Sequence, residues 1–340
     1  MTDAAGTDSR RPRVFVGRRI PDEGLSLVMA ETDADLWTEP LPPPRDELLR
    51  RVHGIDGLLS LLTDRVDDEL LDAAGPGLRV VSNFAVGFDN IDVPACTRRG
   101  IPVGNTPGVL TETTADLAFG LLMAAVRRIP EGYDYVRAGT WKTWGPMLLL
   151  GPDVHHATLG IVGFGRIGRE MAKRAHGFDM TVLVHDAYPP SADEQAALGV
   201  SVVPFDELLA RSDVISLHVN LTDETRHLID AAALARMKKT AILVNTSRGP
   251  VIDQAALADA LRNEVIAGAA LDVTDPEPMP ADDPLLGFPN CLVVPHIASA
   301  SRATRGKMAA MAAANLLAGL RGERLPTPVN PEVYDRPPAN

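Results

Sequence analysis

Cysteine is nearly absent from this 340-residue chain, and the two present, Cys96 and Cys291, lie far apart with no metal-ligand or redox spacing. A disulfide scaffold and a cysteine-held metal are therefore excluded. Two buried thiols are the expected use, and no metal is expected; such usage suits a reducing cytoplasm. No run of five or more basic residues occurs, and 33 Lys and Arg stand against 45 Asp and Glu for a net charge of −12. That balance leaves no electrostatic footprint for nucleic acid. The longest apolar run, Leu117 to Val126, is about half the length a bilayer-spanning helix needs. The start, Met1 to Pro12, is polar and lacks the apolar core of a signal peptide. No repeat with a period of about 20 to 50 residues is visible.

What is present describes a soluble globular protein. Hydrophobic residues make up 45% and charged residues 23%, the balance of a chain with ample core material. At about 150 residues per domain the length predicts about two domains. From Val14 to Asn105, short apolar runs read as strands (Val14–Gly17, Gly57–Leu62, Leu78–Ala85) and alternate with helical segments (Pro44–Val52, Val66–Ala74). Such alternation means crossover units and a parallel sheet. An Ala- and Leu-rich stretch from Thr111 to Gly139, broken by Pro130, reads as one long helix followed by a second. Seven further strand candidates follow: Thr158–Gly163, Thr181–Asp186, Ser201–Val203, Val214–Val219, Ala241–Asn245, Ala267–Val273 and Cys291–Val294. They predict a second, larger doubly wound sheet. An amphipathic, Ala-rich helix is expected over Arg302 to Leu320, and the proline-bearing tail from Pro326 is expected to wrap a surface.

Gly163-Phe164-Gly165-Arg166-Ile167-Gly168 directly follows a predicted strand and opens a predicted helix. Gly163 permits the tight turn, Gly165 lets a pyrophosphate approach bare backbone, and Gly168 allows close helix–strand packing. The helix N-terminus then offers unpaired N–H groups to the phosphates. Asp186, 18 residues beyond Gly168, ends the next strand, where a carboxylate accepts from a ribose 2′-OH. Its plainer reading is a turn former before Pro189-Pro190. Along the chain no basic residue follows Asp186 until Arg211, so no local guanidinium is expected for a 2′-phosphate. NAD(H) is the expected cofactor, with NADP(H) admitted second.

Three polar residues fall at predicted strand ends on the same sheet: Arg248 in Asn245-Thr246-Ser247-Arg248-Gly249, Glu277 in Asp275-Pro276-Glu277-Pro278, and His296 in Pro295-His296-Ile297. Reducing a ketone needs a hydride, a proton for the developing alkoxide, and a group that fixes the substrate. His296 can supply the proton, Glu277 can orient the imidazole, and Arg248 can pair with a carboxylate or carbonyl oxygen. Taken singly, each has a plainer reading, as a strand-end histidine, a surface cation and a turn residue between prolines.

These motifs, with Gly87-Phe88-Asp89-Asn90-Ile91-Asp92 and Asp272-Val273, appear in order from about Val66 to Pro326. In this the chain resembles the D-isomer specific 2-hydroxyacid dehydrogenase family. The resemblance implies an α/β fold of two doubly wound parallel-sheet (Rossmann-like) domains with an interdomain active-site cleft. The substrate domain would comprise residues 1–106 completed by 300–340, and the dinucleotide domain 107–299. It implies the Arg248, Glu277 and His296 roles as catalytic residues, and cofactor contacts from Gly163, Phe164, Gly165, Arg166, Ile167, Gly168, Asp186, Val219, Thr225, Thr246, Ser247, Asp272 and Ala298. Substrate contacts are implied for Ala85, Val86 and Gly87, whose loop N–H groups can hold a carboxylate, and for Arg248, His296, Ser299 and Trp144. A homodimer built through the cofactor domains is also implied.

Within the family, Val109 to Ala118, Trp141 to Pro146, Pro284-Leu285-Leu286 and Asn315 to Glu323 are similar to the glyoxylate/hydroxypyruvate reductase branch. That branch implies reduction of glyoxylate to glycolate and of hydroxypyruvate to D-glycerate. Its animal members lack the acidic strand-end residue and use NADPH, whereas Asp186 stands here. The branch also implies that Trp144 lies at the partner's cleft; plain burial in a helix interior is the alternative. Phosphite dehydrogenase is similar around Thr63 to Asp67 and Cys96 to Gly100, but carries a lysine in the loop that is Asn83 to Gly87 here. Formate dehydrogenases of this fold have glutamine where Glu277 stands. Phosphoglycerate dehydrogenase often adds a regulatory domain, and a non-enzymatic alternative is a dinucleotide-sensing corepressor.

Overall fold

The computed structural model describes residues 10–335. The polar start read as lacking a signal peptide lies mostly outside these residues, as do the last five residues of the tail. The chain divides into two compact units: one runs to Leu110 and resumes at Ser301, the other is Thr111–Ala300.

The first unit opens with β1 (Arg13–Val16), α1 (Asp22–Glu31), β2 (Asp33–Leu36), α2 (Arg45–Arg51), β3 (Gly57–Ser60), α3 (Asp68–Ala74), β4 (Val80–Asn83), α4 (Val93–Arg98) and β5 (Val103–Gly104). The five strands form one sheet in the order β2-β1-β3-β4-β5, every pair parallel. β3 and β4 are buried at every position, so they read as apolar runs and not as alternating patterns. Helix starts follow local chemistry. Asp67 accepts from Leu70 N at 3.1 Å to cap α3, and Asp92 accepts from Ala95 N at 2.8 Å to cap α4, with a proline in its first turn.

The second unit carries α5 (Thr111–Val126), α6 (Ile129–Arg137), β6 (Thr158–Val162), α7 (Arg166–His176), β7 (Thr181–His185), α8 (Ala192–Leu198), β8 (Val200–Val202), α9 (Phe205–Arg211), β9 (Val214–Leu217), α10 (Ala231–Arg236), β10 (Ile242–Asn245), α11 (Gln254–Arg262), β11 (Gly268–Leu271) and β12 (Cys291–Val293). Its seven strands run in the order β12-β11-β10-β9-β6-β7-β8, all parallel. The order reverses between β6 and β9, and ligands bind outside the carboxyl ends of strands at such a point. One core gathers Leu208, Leu209, Leu243 and Leu257, and another gathers Leu122, Leu159, Ile161 and Met171. These side chains are fully buried, each removal from water contributing about 1.5–3 kcal/mol.

After the second unit the chain returns to the first with α12 (Arg302–Leu320). The amphipathic pattern expected here holds only in its first turns, because Asn315 to Leu320 are all buried. The cause is close packing against α1 on one side and β3 and β4 on the other. A Cβ on Gly24 of α1 would come within 2.1 Å of Ala309 O, so only small residues fit between the helices. The tail does more than wrap a surface. Gly104 and Pro328 form an antiparallel bridge, Val329 N donates to Val103 O at 2.7 Å, and buried Asn330 accepts from Val103 N at 2.8 Å while donating to Ile101 O at 3.0 Å. The tail thereby covers the β5 edge of the sheet. Among the described residues no helix is long and apolar enough to cross a membrane.

Candidate active site

The fingerprint turn is built from three different demands. Gly163 has φ +91°, and a Cβ there would lie 2.6 Å from the His218 carbonyl carbon. A Cβ on Gly168 would lie 2.2 Å from Gly163 O, whereas one on Gly165 would meet nothing within 4 Å. The first and third glycines are thus forced by the protein's own packing, and the second leaves open room over the backbone. Gly165 is also the N-cap of α7 and provides no side-chain cap, so the first-turn N–H groups stay available for an anion. Two buried polar atoms near the sheet's carboxyl edge have no protein partner: His218 Nδ1, just past β9, and Thr246 Oγ1, just past β10. His218 Nε2 meets Ser216 Oγ at 2.9 Å, and burial pushes the imidazole down to about 3, which keeps it neutral. Open space at Gly165 and unspent polar atoms at this edge fit a dinucleotide.

Asp186 stands just past β7. Its Oδ2 accepts from Phe164 N in the fingerprint, and its Oδ1 accepts from Tyr188 N at 2.7 Å. The carboxylate is thereby tied to the glycine turn. Along the chain no basic residue follows Asp186 until Arg211, but a guanidinium from before it packs on the fingerprint. Arg169 of α7 lies with its Cζ 5.1 Å from the Phe164 ring centroid, because one helical turn returns the residue after Gly168 to the fingerprint. Arg166 and Ile167 occupy the first turn of α7.

Past β10, Asn245 organises the turn that carries Arg248. Its Oδ1 accepts from Ser247 N at 3.0 Å and Ser247 Oγ at 2.7 Å, and its Nδ2 donates to Arg248 O at 2.9 Å. A Cβ on Gly249 would overlap Thr274 O at 1.9 Å, so the turn presses directly on the β11 loop. Buried Asp272, just past β11, accepts from Ile297 N at 2.6 Å and Ala298 N at 2.9 Å, while its carbonyl accepts from His296 N at 2.9 Å. Burial pushes its carboxyl upward, against the N–H bonds and the nearby His296. These three bonds hold His296 in a left-handed backbone conformation, φ +50°. The imidazole Nδ1 then lies 2.6 Å from Glu277 Oε1, both side chains partly exposed. The pair leaves Nε2 for another partner, and Nδ1–H donating to the carboxylate fixes the tautomer.

The other predicted contacts are placed as follows. Val219 is partly buried against the core, and Thr225 spends its hydroxyl inside its own loop, donating to Asn220 O at 2.6 Å. Ser299 is partly buried beside buried Ala298. Trp144 follows α6 and is 77% exposed, which excludes burial in a helix interior. In the first unit, the loop after β4 has its carbonyls pinned: Ala85 O accepts from Thr106 N at 2.9 Å, Val86 O from Asn105 Nδ2 at 2.7 Å, and Gly87 O from Asn83 Nδ2 at 2.9 Å. Among the described residues no acceptor takes the N–H groups of these three positions. Sequence reasoning missed Asn83 and Asn105 as the loop's supports. It also missed Arg169 and the bracing by Asn245, although the Asn–Thr–Ser–Arg–Gly run marked where that brace would sit.

A fold of two parallel-sheet units, with a fingerprint and a His–Glu pair on one sheet edge, defines a nicotinamide-dependent oxidoreductase. The family profile described as D-isomer specific 2-hydroxyacid dehydrogenase, NAD binding domain, matches residues 119–298. A glyoxylate reductase of Korarchaeum cryptofilum is 55% identical over 330 residues, covering 96% of this chain and 99% of that protein. A glyoxylate reductase of Thermofilum pendens is 48% identical over 325 residues, covering 95% and 96%. Among solved structures, an NADPH-dependent glyoxylate/hydroxypyruvate reductase from Sinorhizobium meliloti, in complex with NADP and malonate, superposes with a TM-score of 0.81 at 33% identity, covering 94% of this chain and 97% of that one. This chain belongs to the D-isomer specific 2-hydroxyacid dehydrogenase family and is an NAD(P)-dependent oxidoreductase.

Proposed function

We propose that this enzyme reduces glyoxylate to glycolate, and hydroxypyruvate to D-glycerate, with NADH as the preferred donor. The reading is carried by the 2.6 Å pair of His296 and Glu277 on the fingerprint sheet, in a chain whose near full-length relatives are named glyoxylate reductases. Bound nicotinamide supplies the hydride. His296 gives the Nε2 proton to the carbonyl oxygen as negative charge develops there, and Glu277 fixes the ring and steadies its positive form. Arg248 offers a planar fork to the carboxylate or the carbonyl oxygen; in the first unit, the N–H groups of Ala85, Val86 and Gly87 suit an anion. Asp186 disfavours a 2′-phosphate by like-charge repulsion.

The enzyme works as a cytoplasmic homodimer. Ile129, Tyr133 and Val136 follow helical spacing along α6 and are exposed, as are Trp141, Trp144 and Met147 beyond it. Exposed apolar side chains so grouped along the chain mark an interface, and a second copy covering them brings Trp144 to the partner's site as a rigid aromatic wall. Steady-state kinetics with both acids and both cofactors test the proposal. Glyoxylate or hydroxypyruvate turnover with higher kcat/KM for NADH supports it; turnover of neither acid overturns it.

A further inference from the structure

We propose that Arg169 is a second determinant of cofactor choice, a guanidinium that receives a 2′-phosphate and is restrained from doing so by Glu194. The proposal rests on dinucleotide binding at Gly163 to Gly168, and it is independent of which cofactor Asp186 makes the preferred one.

Four observations converge. Asp186, the residue at the ribose end, accepts from the N–H of Phe164, and the Phe164 ring is almost fully buried. The Arg169 guanidinium lies over that same ring, 5.1 Å from its centroid, so one residue links the carboxylate and the cation. Arg169 Nη2 reaches Glu194 Oε1 at 3.4 Å, and Glu194 belongs to the α8 start that follows β7 through the Asp186 loop. Glu194 is itself fixed, since its Oε2 accepts from Ser191 N at 3.0 Å while Ser191 Oγ accepts from Glu194 N at 3.3 Å. That reciprocal cap holds the carboxylate whether or not Arg169 is paired with it.

The ion pair therefore bridges α7 and α8, the helices that precede and follow β7 along the chain. It is a single long contact, with the arginine side chain 35% and the glutamate side chain 51% exposed, and exposed end-on pairs are weak. A 2′-phosphate carries more charge than a carboxylate and presents oxygens for two parallel N–H bonds. Given such a ligand, the guanidinium can leave Glu194 by rotating its outer torsions while it stays stacked on Phe164. Asp186 then acts against the 2′-phosphate and Arg169 for it, and Glu194 competes for the same cation. This chain is thereby tuned toward NADH without closing the site to NADPH.

The test is calorimetric binding of adenosine 2′,5′-bisphosphate and of 5′-AMP to the full chain and to its R169Q and E194Q variants. Gln at position 194 retains the reciprocal cap, so that variant keeps the α8 start intact. R169Q should weaken the bisphosphate roughly tenfold or more relative to 5′-AMP, the size of a lost charge-assisted pair. E194Q should tighten the bisphosphate about threefold and leave 5′-AMP within error. Equal weakening of both ligands in R169Q would make Arg169 a general phosphate attractor, and no change in either would detach it from the ribose end; both outcomes overturn the proposal. The bisphosphate to 5′-AMP ratio in R169Q, where the guanidinium is gone, reports on Asp186, so the two readings fail independently.

Discussion

His218 gives the structure a pH liability with a calculable size. The residue is half-buried just past β9, with Nδ1 enclosed and without a partner and Nε2 2.9 Å from Ser216 Oγ. Burial holds its proton affinity down at about 3, against an ordinary 6.5. Between those values the unfolded chain binds a proton at this residue and the folded chain does not. The contribution of neutral His218 is therefore complete above about pH 6.5 and is lost as pH falls toward 3. At pH 5, about 1.5 units below the ordinary value, the loss is about 2 kcal/mol. His218→Gln keeps an amide for Ser216 and removes the titration. Urea unfolding of cofactor-free protein at pH 7.5 and pH 5 measures the difference between the two proteins, which cancels opposing groups such as Asp272, whose raised carboxyl favours the folded state at lower pH. The native protein should lose about 2 kcal/mol more than the variant over this range. Equal losses would refute the neutral assignment of His218.

Other expectations follow from the site geometry. Arg248→Lys keeps the charge and loses the planar fork, so KM for glyoxylate should rise and kcat fall together, whereas a neutral aldehyde should be nearly insensitive; steady-state rates on both substrates decide. Asn105→Ala removes the donor that pins Val86 O at 2.7 Å, and should raise KM for the 2-oxo acid about tenfold with little change in NADH affinity measured by fluorescence titration. Trp144→Ala should admit bulkier 2-oxo acids such as phenylpyruvate while small-acid activity drops, and unchanged substrate ranking would assign selectivity elsewhere.

The sheets were legible where strands are buried on both faces. β3, β4, β6, β9, β10 and β11 are short apolar runs, because such strands need no polar side. β2, Asp-Ala-Asp-Leu, is a half-exposed edge strand, and β5 is two residues long; neither carries a pattern that separates it from a loop. α12 was legible over its whole length, but its packing was not, since a run of alanines reads as a weak stripe until Gly24 and Val80 are seen pressed against it. The fingerprint and Asp186 were readable from fixed spacing along the chain. Arg169 was not connected to Phe164 and Glu194, because its place over the ring and beside α8 depends on a helical turn and a strand crossing. The loop supports Asn83 and Asn105 are distant from one another in sequence and meet only through the sheet.

In the proposed reaction His296, held by Asp272 and paired with Glu277, supplies the proton for reduction of a 2-oxo acid. The most direct measurement is the rate of NADH oxidation by saturating glyoxylate in the native enzyme and in His296→Ala, alongside NADH affinity by fluorescence. The variant's kcat should fall by at least ~10²-fold, the usual contribution of a positioned general acid, with NADH affinity nearly intact. A variant that turns over within a few-fold of the native rate would contradict that role of His296.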